Sequence, residues 1–277
     1  MKIYKTTRGI IIEHNSLFYL SAENDWDKFV NNENLYNSIQ YQIETLIKID
    51  GSWIQEMYIL APIQSQEIWA AGVTYLRSMH ARVEESQENG GSSFYDKVYD
   101  AERPEIFFKA TAQRTVGHNG LVRIRKDSAW NVPEPELTLF ITSEGSIVGY
   151  TIGNDMSSRS IEGENPLYLP QAKMYEGCCA LGPCLYVPDK PITPQTIINI
   201  IIERDNSIVY DDSISISQMK RQHVELVKFL YRECNFPHGC FLMTGTGIVP
   251  PKTFSLKAGD IINISIENIG TLTNKVA

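Results

Sequence analysis

Asn131-Val132-Pro133-Glu134-Pro135-Glu136-Leu137, with Gly149-Tyr150-Thr151-Ile152-Gly153-Asn154-Asp155-Met156 after it, carries the reading of this chain. The two prolines fix their own backbone angles and push the preceding residues out of the helical region, so the first segment is extended. Residues i and i+2 of an extended chain point to one face, which sets the carboxylates of Glu134 and Glu136 a few ångströms apart. Two like charges that close are unfavourable unless one protonates or a cation sits between them. Oxygen-only ligands suit Mg²⁺, Mn²⁺ or Ca²⁺ better than zinc. The turn Ser143-Glu144-Gly145-Ser146 would fold the second segment back on the first and return Asp155 to the glutamates. Three carboxylates with open positions describe a catalytic Mg²⁺ site. A solvated acidic edge explains a bare Glu-Pro-Glu as well, and an Asx-turn or helix cap explains Asp155 before Ser157-Ser158-Arg159.

Outward from this hairpin, strand signals dominate. Candidates are Ile68–Val73, Glu105–Ala110, Leu121–Arg125, Glu136–Thr142, Ile147–Ile152, Ile197–Glu203, Ser207–Asp211, Phe241–Met243 and Ile261–Glu267. In the last, Ile262, Ile264 and Ile266 alternate with Asn263 and Ser265, the period of a sheet with one buried face. A helix is expected over Tyr75–Glu88, and another after Ser217 as its cap, with Met219, Val227 and Leu230 near one stripe. Towards the N-terminus, Gly9-Ile10-Ile11-Ile12 and Leu17-Phe18-Tyr19-Leu20 flank a turn and read as a hairpin. Leu35, Ile39, Ile43 and Ile47 then recur every four residues, a helix that Asn31 or Asn32 can cap. A strand-like Met57-Tyr58-Ile59-Leu60 leads to Ala61-Pro62. The expected organisation is a small N-terminal α/β domain over 1–62 and a mainly-β body over 63–277. Strands here lack the regular alternation with helices of a parallel sheet, so the class is α+β.

Composition narrows the functions. The 277 residues are 43% hydrophobic, enough for a substantial core. Lys and Arg number 25 against 33 Asp and Glu, a formal net charge of −8 with no basic cluster, which argues against nucleic acid. No apolar run is long enough to span a bilayer, and five cysteines without a Cys-x-x-Cys pair suit a reducing compartment. A cytoplasmic protein is expected. Adjacent Cys178 and Cys179 cannot easily meet disulfide geometry and read as core; His118, His223 and His238 lack metal-ligand spacing.

Val132–Leu137 with Gly153–Arg159, then Leu169-Pro170-Gln171-Ala172-Lys173, Leu181-Gly182-Pro183 and Met243-Thr244-Gly245-Thr246-Gly247, in order from about Leu60 to the C-terminus, resemble the fumarylacetoacetate hydrolase family. The resemblance implies a rolled, mixed β-sheet body with a smaller N-terminal domain, a homodimer or homotetramer, and Mg²⁺ or Mn²⁺ held by Glu134, Glu136 and Asp155. It matches the family's lysine to Lys173 and its Gly-Thr-Pro turn to Gly245-Thr246, with Gly247 for proline. Tyr75, Ser78 and Thr246 are then the implied substrate contacts.

One departure is informative. The family's hydrolases carry Asn-Tyr-x-x-His-x-x-Glu, whose His–Glu pair activates water. Here Tyr75 aligns, but Ser78 replaces the His and Ala81 the Glu. Neither is a base at neutral pH. His80 is out of step by two and reads as a surface residue. The remainder is similar to the family's sugar-acid dehydratase branch, typified by 2-keto-3-deoxy-D-arabinonate dehydratase, which uses a glutamate in Pro-Glu-x-Phe-x-Lys. That matches Pro104-Glu105-Ile106-Phe107-Phe108-Lys109, where Glu105, Phe107 and Lys109 share one strand face. Without the resemblance, Glu105 reads as an exposed strand start and Lys109 as an ion-pair partner. The resemblance implies a Mg²⁺-dependent dehydratase of a 2-keto-3-deoxy sugar acid, with Glu105 and Lys173 as the acid–base pair. The alternative on the same scaffold is an acylpyruvate-type C–C hydrolase or an oxaloacetate-type decarboxylase. Polar Glu84–Glu88, the flexible centre Asn89–Ser93 and the aromatics Phe94, Tyr95 and Tyr99 read either as a lid over 84–103 or as a surface excursion.

Overall fold

The computed structural model describes residues 1–52, 54, 59–86 and 97–277. Among these, strands form one mixed sheet of eleven and a second of five. The large sheet runs in the order Ile47–Ile49, Leu17–Leu20, Gly9–His14, Lys2–Thr6, Cys179–Tyr186, Ile147–Ser158, Asn131–Ile141, Cys240–Met243, Glu67–Gly72 and Glu105–Thr111, with Thr115–Val116 beside Cys179–Tyr186. Its pairs are antiparallel except two: Cys240–Met243 with Glu67–Gly72, and Thr115–Val116 with Cys179–Tyr186. The small sheet orders Ser207–Ser215, Ile197–Arg204, Ile261–Ile266, Gly270–Val276 and Leu121–Val122.

Alternation along the strands divides the core in two. Leu137, Leu139, Ile141 and Ile152 on one face of the large sheet meet Ile198, Ile200, Ile202, Ile262, Ile264 and Ile266 of the small sheet. Phe140, Leu181, Leu185 and Phe241 on the opposite face join Ile3, Ile10, Ile12, Trp26, Val30, Leu35 and Ile39. Two short helices, Trp26–Val30 and Leu35–Gln42, cover that second face. Each fully buried Leu, Ile or Phe contributes about 1.5–3 kcal/mol, so both faces are strongly driven to their burial.

The residues on either side of position 62 share this sheet and this core. Lys2 and Ile3 pair with Tyr186 and Leu185, and Ile63 and Ile68 join the cluster built on Ile3, Ile10 and Ile12. Only Ile59 and Leu60 of the strand-like 57–60 run lie among the described residues; Ile59 bridges Thr6. Half of the 84–103 stretch of the lid reading, residues 87–96, lies outside the described residues.

Several local expectations are corrected. The four-residue recurrence from Leu35 to Ile47 overran its helix, which ends at Gln42; Ile47 is 70% exposed in a strand paired with Leu17–Leu20. Neither Asn31 nor Asn32 caps it: Asn34 holds the N-cap position without a side-chain bond to the helix backbone. Ser217 lies inside a 3₁₀ turn capped by Ser215, and the following helix, His223–Leu230, is closed by a Gln222–Glu225 capping box. The Leu121–Arg125 strand stops at Val122. The strands Lys2–Thr6, Cys179–Tyr186 and Gly270–Val276 were not expected, since none alternates cleanly.

Ile12 tests the shared core. Ile12→Ala removes a fully buried side chain and should cost about 2–5 kcal/mol. Because Ile12 packs with residues from both sides of position 62, denaturant unfolding followed by two optical probes should shift as one transition. A separate early transition confined to the N-terminal segment would contradict this.

Candidate active site

The hairpin of Asn131–Ile141 and Ile147–Ser158 places Asp155 directly opposite Glu134, and Gly153 opposite Glu136. Glycine is required there: a Cβ on Gly153 would sit 2.4 Å from Thr138 Oγ1 and 2.8 Å from Met243 Cε. The prolines also have a place. Cys240–Met243 pairs only with Thr138–Ile141, so the half of the strand bearing the glutamates lacks a strand on that side. Asn131 and Leu137 turn backbone groups to that side, to Ser255 Oγ and the Thr244 N–H. Pro133 and Pro135 fall at positions of the same parity, where a missing N–H costs no ladder bond.

Glu134, Glu136 and Asp155 are buried, and each offers an oxygen within 4.8 Å of the others. Among the described residues this is the cluster with the reach to hold a metal ion. Cations surround it. Lys173, last residue of the short helix Leu169–Lys173, sets Nζ 2.7 Å from Glu134 Oε2, 3.1 Å from Asp155 Oδ2 and 2.6 Å from Ser157 Oγ. Lys109 Nζ lies 2.6 Å from Asp155 Oδ1 and donates to the carbonyls of Met156 and Lys173. Arg159 bonds Glu134 Oε1 at 2.7 Å. Glu136 is served differently: the Gly245 N–H donates to its Oε2 at 2.5 Å.

The charges sort accordingly. Burial alone would raise Glu134, but Lys173, Arg159 and Arg82 outweigh it and hold its carboxyl far below the usual range. Burial, reinforced by Asp155 and Glu134, pushes Glu136 well up. Burial opposes the charge on Lys173, yet Asp155, Glu134 and Glu162 raise its proton affinity. The donor set fits a hard divalent cation: three buried carboxylates, one of which repels its neighbours when no dication lies among them.

Glu105 starts the strand Glu105–Thr111 opposite Gly72. Its Oε2 is buried without a hydrogen-bond partner, against Gly72, where a Cβ would approach it to 2.1 Å. Burial raises its proton affinity, with Arg82 as the largest opposing influence. Phe107 on the same face reaches Lys173, whose Nζ is 5.7 Å from the ring centre. Lys109, third on that face, is an ion-pair partner, of Asp155.

A narrow cavity joins these groups. It is lined by Ala71, Gly72, Val73, Ser78, Arg82 and Phe107 on one side and by Glu134, Glu136, Asp155, Lys173, Gly245 and Thr246 on the other. At about 10 Å³ it admits a water- or ion-sized body in this state. Of the three implied substrate contacts, Ser78 and Thr246 line it, while Tyr75 lies behind. The Tyr75 ring and Ile214 fill the space beside Gly247, where a Cβ would meet Ile214 Cδ1 at 2.1 Å and Tyr75 Cδ1 at 2.8 Å. That is why the family's proline has no room at 247. Ser78 Oγ donates to the Tyr75 carbonyl at 2.7 Å, and Ala81 is buried without a polar atom to offer. His80 is exposed.

Arg82, Arg159 and Glu162 are buried at this site and were missed in the sequence. Arg82 ion-pairs with Glu162, which faces Arg159 Nε at 3.6 Å. Arg82 stands four residues after Ser78, one turn along the helix Leu76–Ser86, and that spacing was the available signal.

Residues 67–277 match the family described as fumarylacetoacetate (FAA) hydrolase C-terminal. A probable 2-keto-3-deoxyxylonate dehydratase of Haloferax volcanii is 48% identical over 229 residues, 82% of this chain and 78% of that protein. A 2-dehydro-3-deoxy-D-arabinonate dehydratase of Saccharolobus solfataricus is 44% identical over 228 residues, 80% of this chain and 76% of the other. A solved structure of 2-keto-3-deoxy-D-arabinonate dehydratase complexed with magnesium and 2,5-dioxopentanoate superposes with a TM-score of 0.85 at 36% identity, spanning 100% of this chain and 98% of that one. The fumarylacetoacetate hydrolase of Exiguobacterium antarcticum, 21% identical with a TM-score of 0.68, shares the fold.

Glu136→Gln tests the cluster. The amide keeps the shape but removes a charge, so calorimetric titration should show Mg²⁺ affinity falling roughly tenfold or more. Unchanged affinity would remove Glu136 from the site.

Proposed function

The chain belongs to the fumarylacetoacetate hydrolase family, and within it we propose a divalent-metal-dependent dehydratase of a 2-keto-3-deoxy sugar acid, a pentonate such as 2-keto-3-deoxy-D-arabinonate, that gives 2,5-dioxopentanoate. One observation carries this reading: a single cavity joins the three-carboxylate cluster to Lys173, with Glu105 packed against its Gly72 wall, while Ser78 and Ala81 stand where a hydrolase would carry its water-activating pair. The two dehydratases that are 44% and 48% identical support it. Cytoplasmic residence and a homodimer or homotetramer are part of the same proposal, supported by the family and by five cysteines that are all free. Among the described residues no helix is long and apolar enough to cross a membrane.

Glu134, Glu136 and Asp155 would hold the Mg²⁺, with Mn²⁺ or Ca²⁺ suited to the same donors. When bound, the ion supplies Lewis acidity against the negative charge that develops on the 2-keto oxygen as C3 loses its proton. The remaining work falls to the protein. The C3 proton and the C4 hydroxyl leave together as water. The unsaturated acid left behind is an isomer of 2,5-dioxopentanoate and reaches it by proton shifts. Glu105 and Lys173 form the acid–base pair for these transfers. Burial favours the neutral carboxyl of Glu105, a form that can donate to the departing C4 hydroxyl; the carboxylates around Lys173 favour its ammonium, and engagement of Glu134 and Asp155 by the ion would lower its proton affinity, so that the amine could take the C3 proton. Phe107 packs against the lysine and keeps water from the reacting carbons. A five-carbon acid exceeds the cavity's present volume, so the wall bearing Ser78, Arg82 and Phe107 must yield to admit it.

Incubation of the purified protein with 2-keto-3-deoxypentonates and Mg²⁺ should release an aldehyde that carbonyl reagents trap. No turnover of any pentonate stereoisomer would refute the reading.

Two variants divide the roles. Glu105→Gln should lower kcat by about 10²–10⁴ with Mg²⁺ affinity unchanged. Lys173→Met should lower kcat similarly, yet leave Mg²⁺ affinity equal or higher, because the ammonium competes for Glu134 and Asp155. Loss of metal binding in Lys173→Met would contradict this division.

A further inference from the structure

We propose that Lys109, together with Arg159 and the Gly245 N–H, leaves each carboxylate of the metal cluster one available oxygen, and so tunes the site to a small octahedral ion and away from Ca²⁺. Carboxylate donors by themselves admit Mg²⁺, Mn²⁺ and Ca²⁺ alike. The ions part over the second oxygen. Ca²⁺ takes roughly six to eight oxygens and readily accepts both from one carboxylate, whereas Mg²⁺ holds to about six in near-ideal octahedral array.

In this cluster the protein already occupies one oxygen of every carboxylate. Lys109 Nζ lies 2.6 Å from Asp155 Oδ1, Arg159 bonds Glu134 Oε1 at 2.7 Å, and the Gly245 N–H donates to Glu136 Oε2 at 2.5 Å. The other oxygens of Glu134 and Asp155 converge on one cation, the Lys173 ammonium, at 2.7 and 3.1 Å. An ammonium met by a single oxygen from each of two carboxylates marks the side on which an ion would be held. Lys173 lines the cavity there.

Lys109 stands behind Asp155, outside that lining, and its place is fixed. It is fully buried, and its ammonium hydrogens are met by Asp155 Oδ1, the Met156 carbonyl at 3.1 Å and the Lys173 carbonyl at 2.6 Å. Release of Asp155 would leave an ammonium hydrogen unpaired in a dry interior, so the hold on Oδ1 persists when a dication arrives. Lys109 touches neither ion nor substrate: it is a positioning residue that acts through Asp155. Three single-oxygen ligands leave an octahedral ion about three positions for water or substrate.

Two measurements without substrate test this. Water-proton relaxation on the unsubstituted protein loaded with Mn²⁺ should count about three exchanging waters on the ion, and a count of about two or fewer overturns the proposal. Calorimetric titration of Mg²⁺ and of Ca²⁺ into Lys109→Met then isolates the residue. Loss of a positive charge strengthens both ions and a merely structural role weakens both, so each largely cancels in their ratio. The freed Oδ1 helps only the ion that accepts two oxygens, and the ratio of Ca²⁺ to Mg²⁺ affinity should rise roughly tenfold over that of the unsubstituted protein. An unmoved or falling ratio overturns the proposal. If Lys109→Met does not fold, the water count decides. Neither readout depends on turnover, so this proposal can fail while the dehydratase reading stands, and the reverse.

Discussion

Three carboxylates held within 4.8 Å of one another in a dry interior is the constraint on which the rest of this structure turns. Left alone, such a cluster would protonate or force the strands apart. The fold answers with cations from four separate places: Lys109 on an edge strand, Lys173 at a helix end, Arg159 just past the hairpin, and Arg82 on the helix beyond Gly72. Each is buried, and each has a carboxylate within reach, so no single charge stands alone. Binding a dication would redistribute these pairs, because Lys173 now touches the two acids that a metal would claim. Stability and activity therefore draw on the same side chains.

The backbone is arranged around that cluster with equal economy. Asn131–Ile141 is an interior strand over its second half and an open edge over its first, and the change comes where the glutamates begin. Prolines suit an open edge, and the chain uses two. On the far side of the cavity Val73 adopts a φ of +53°, a strained value for a β-branched residue. Its neighbour Thr74 donates to the Thr244 carbonyl and accepts from the Lys220 N–H through its own carbonyl. The first bond holds the strained turn against the Gly245 segment that serves Glu136, and the second ties it to Lys220.

How much of this was legible in the sequence follows from the range of each interaction. Glu134, Glu136 and Asp155 could be brought together by hairpin arithmetic alone, because extended chains alternate and the turn between them is short. Strands such as Ile261–Ile266 announced themselves by period. Arg159 and Glu162 gave no local sign, since their partners are chosen by tertiary packing. Ile47 fitted a helical recurrence yet became a strand, because pairing with Leu17–Leu20 outweighed a weak local preference. Cys179–Tyr186 escaped notice for a related reason. Its Gly182-Pro183 step breaks the pattern, although it is a central strand with neighbours on both sides.

That central strand sets the order in which the chain can assemble. Lys2–Thr6 lies between the strand Gly9–His14 and Cys179–Tyr186, and the Met1 amine donates to the Val187 carbonyl 186 residues away. During synthesis the hairpin over residues 2–20 can close early, but its outer edge has nothing to pair with until most of the chain has been made. Closing so long a loop is slow, and an unpaired strand edge attracts other chains meanwhile. The polar side chains along that edge, Lys2 and Lys5 with Arg8 at the turn, keep the waiting hairpin soluble until Cys179–Tyr186 arrives to cover it.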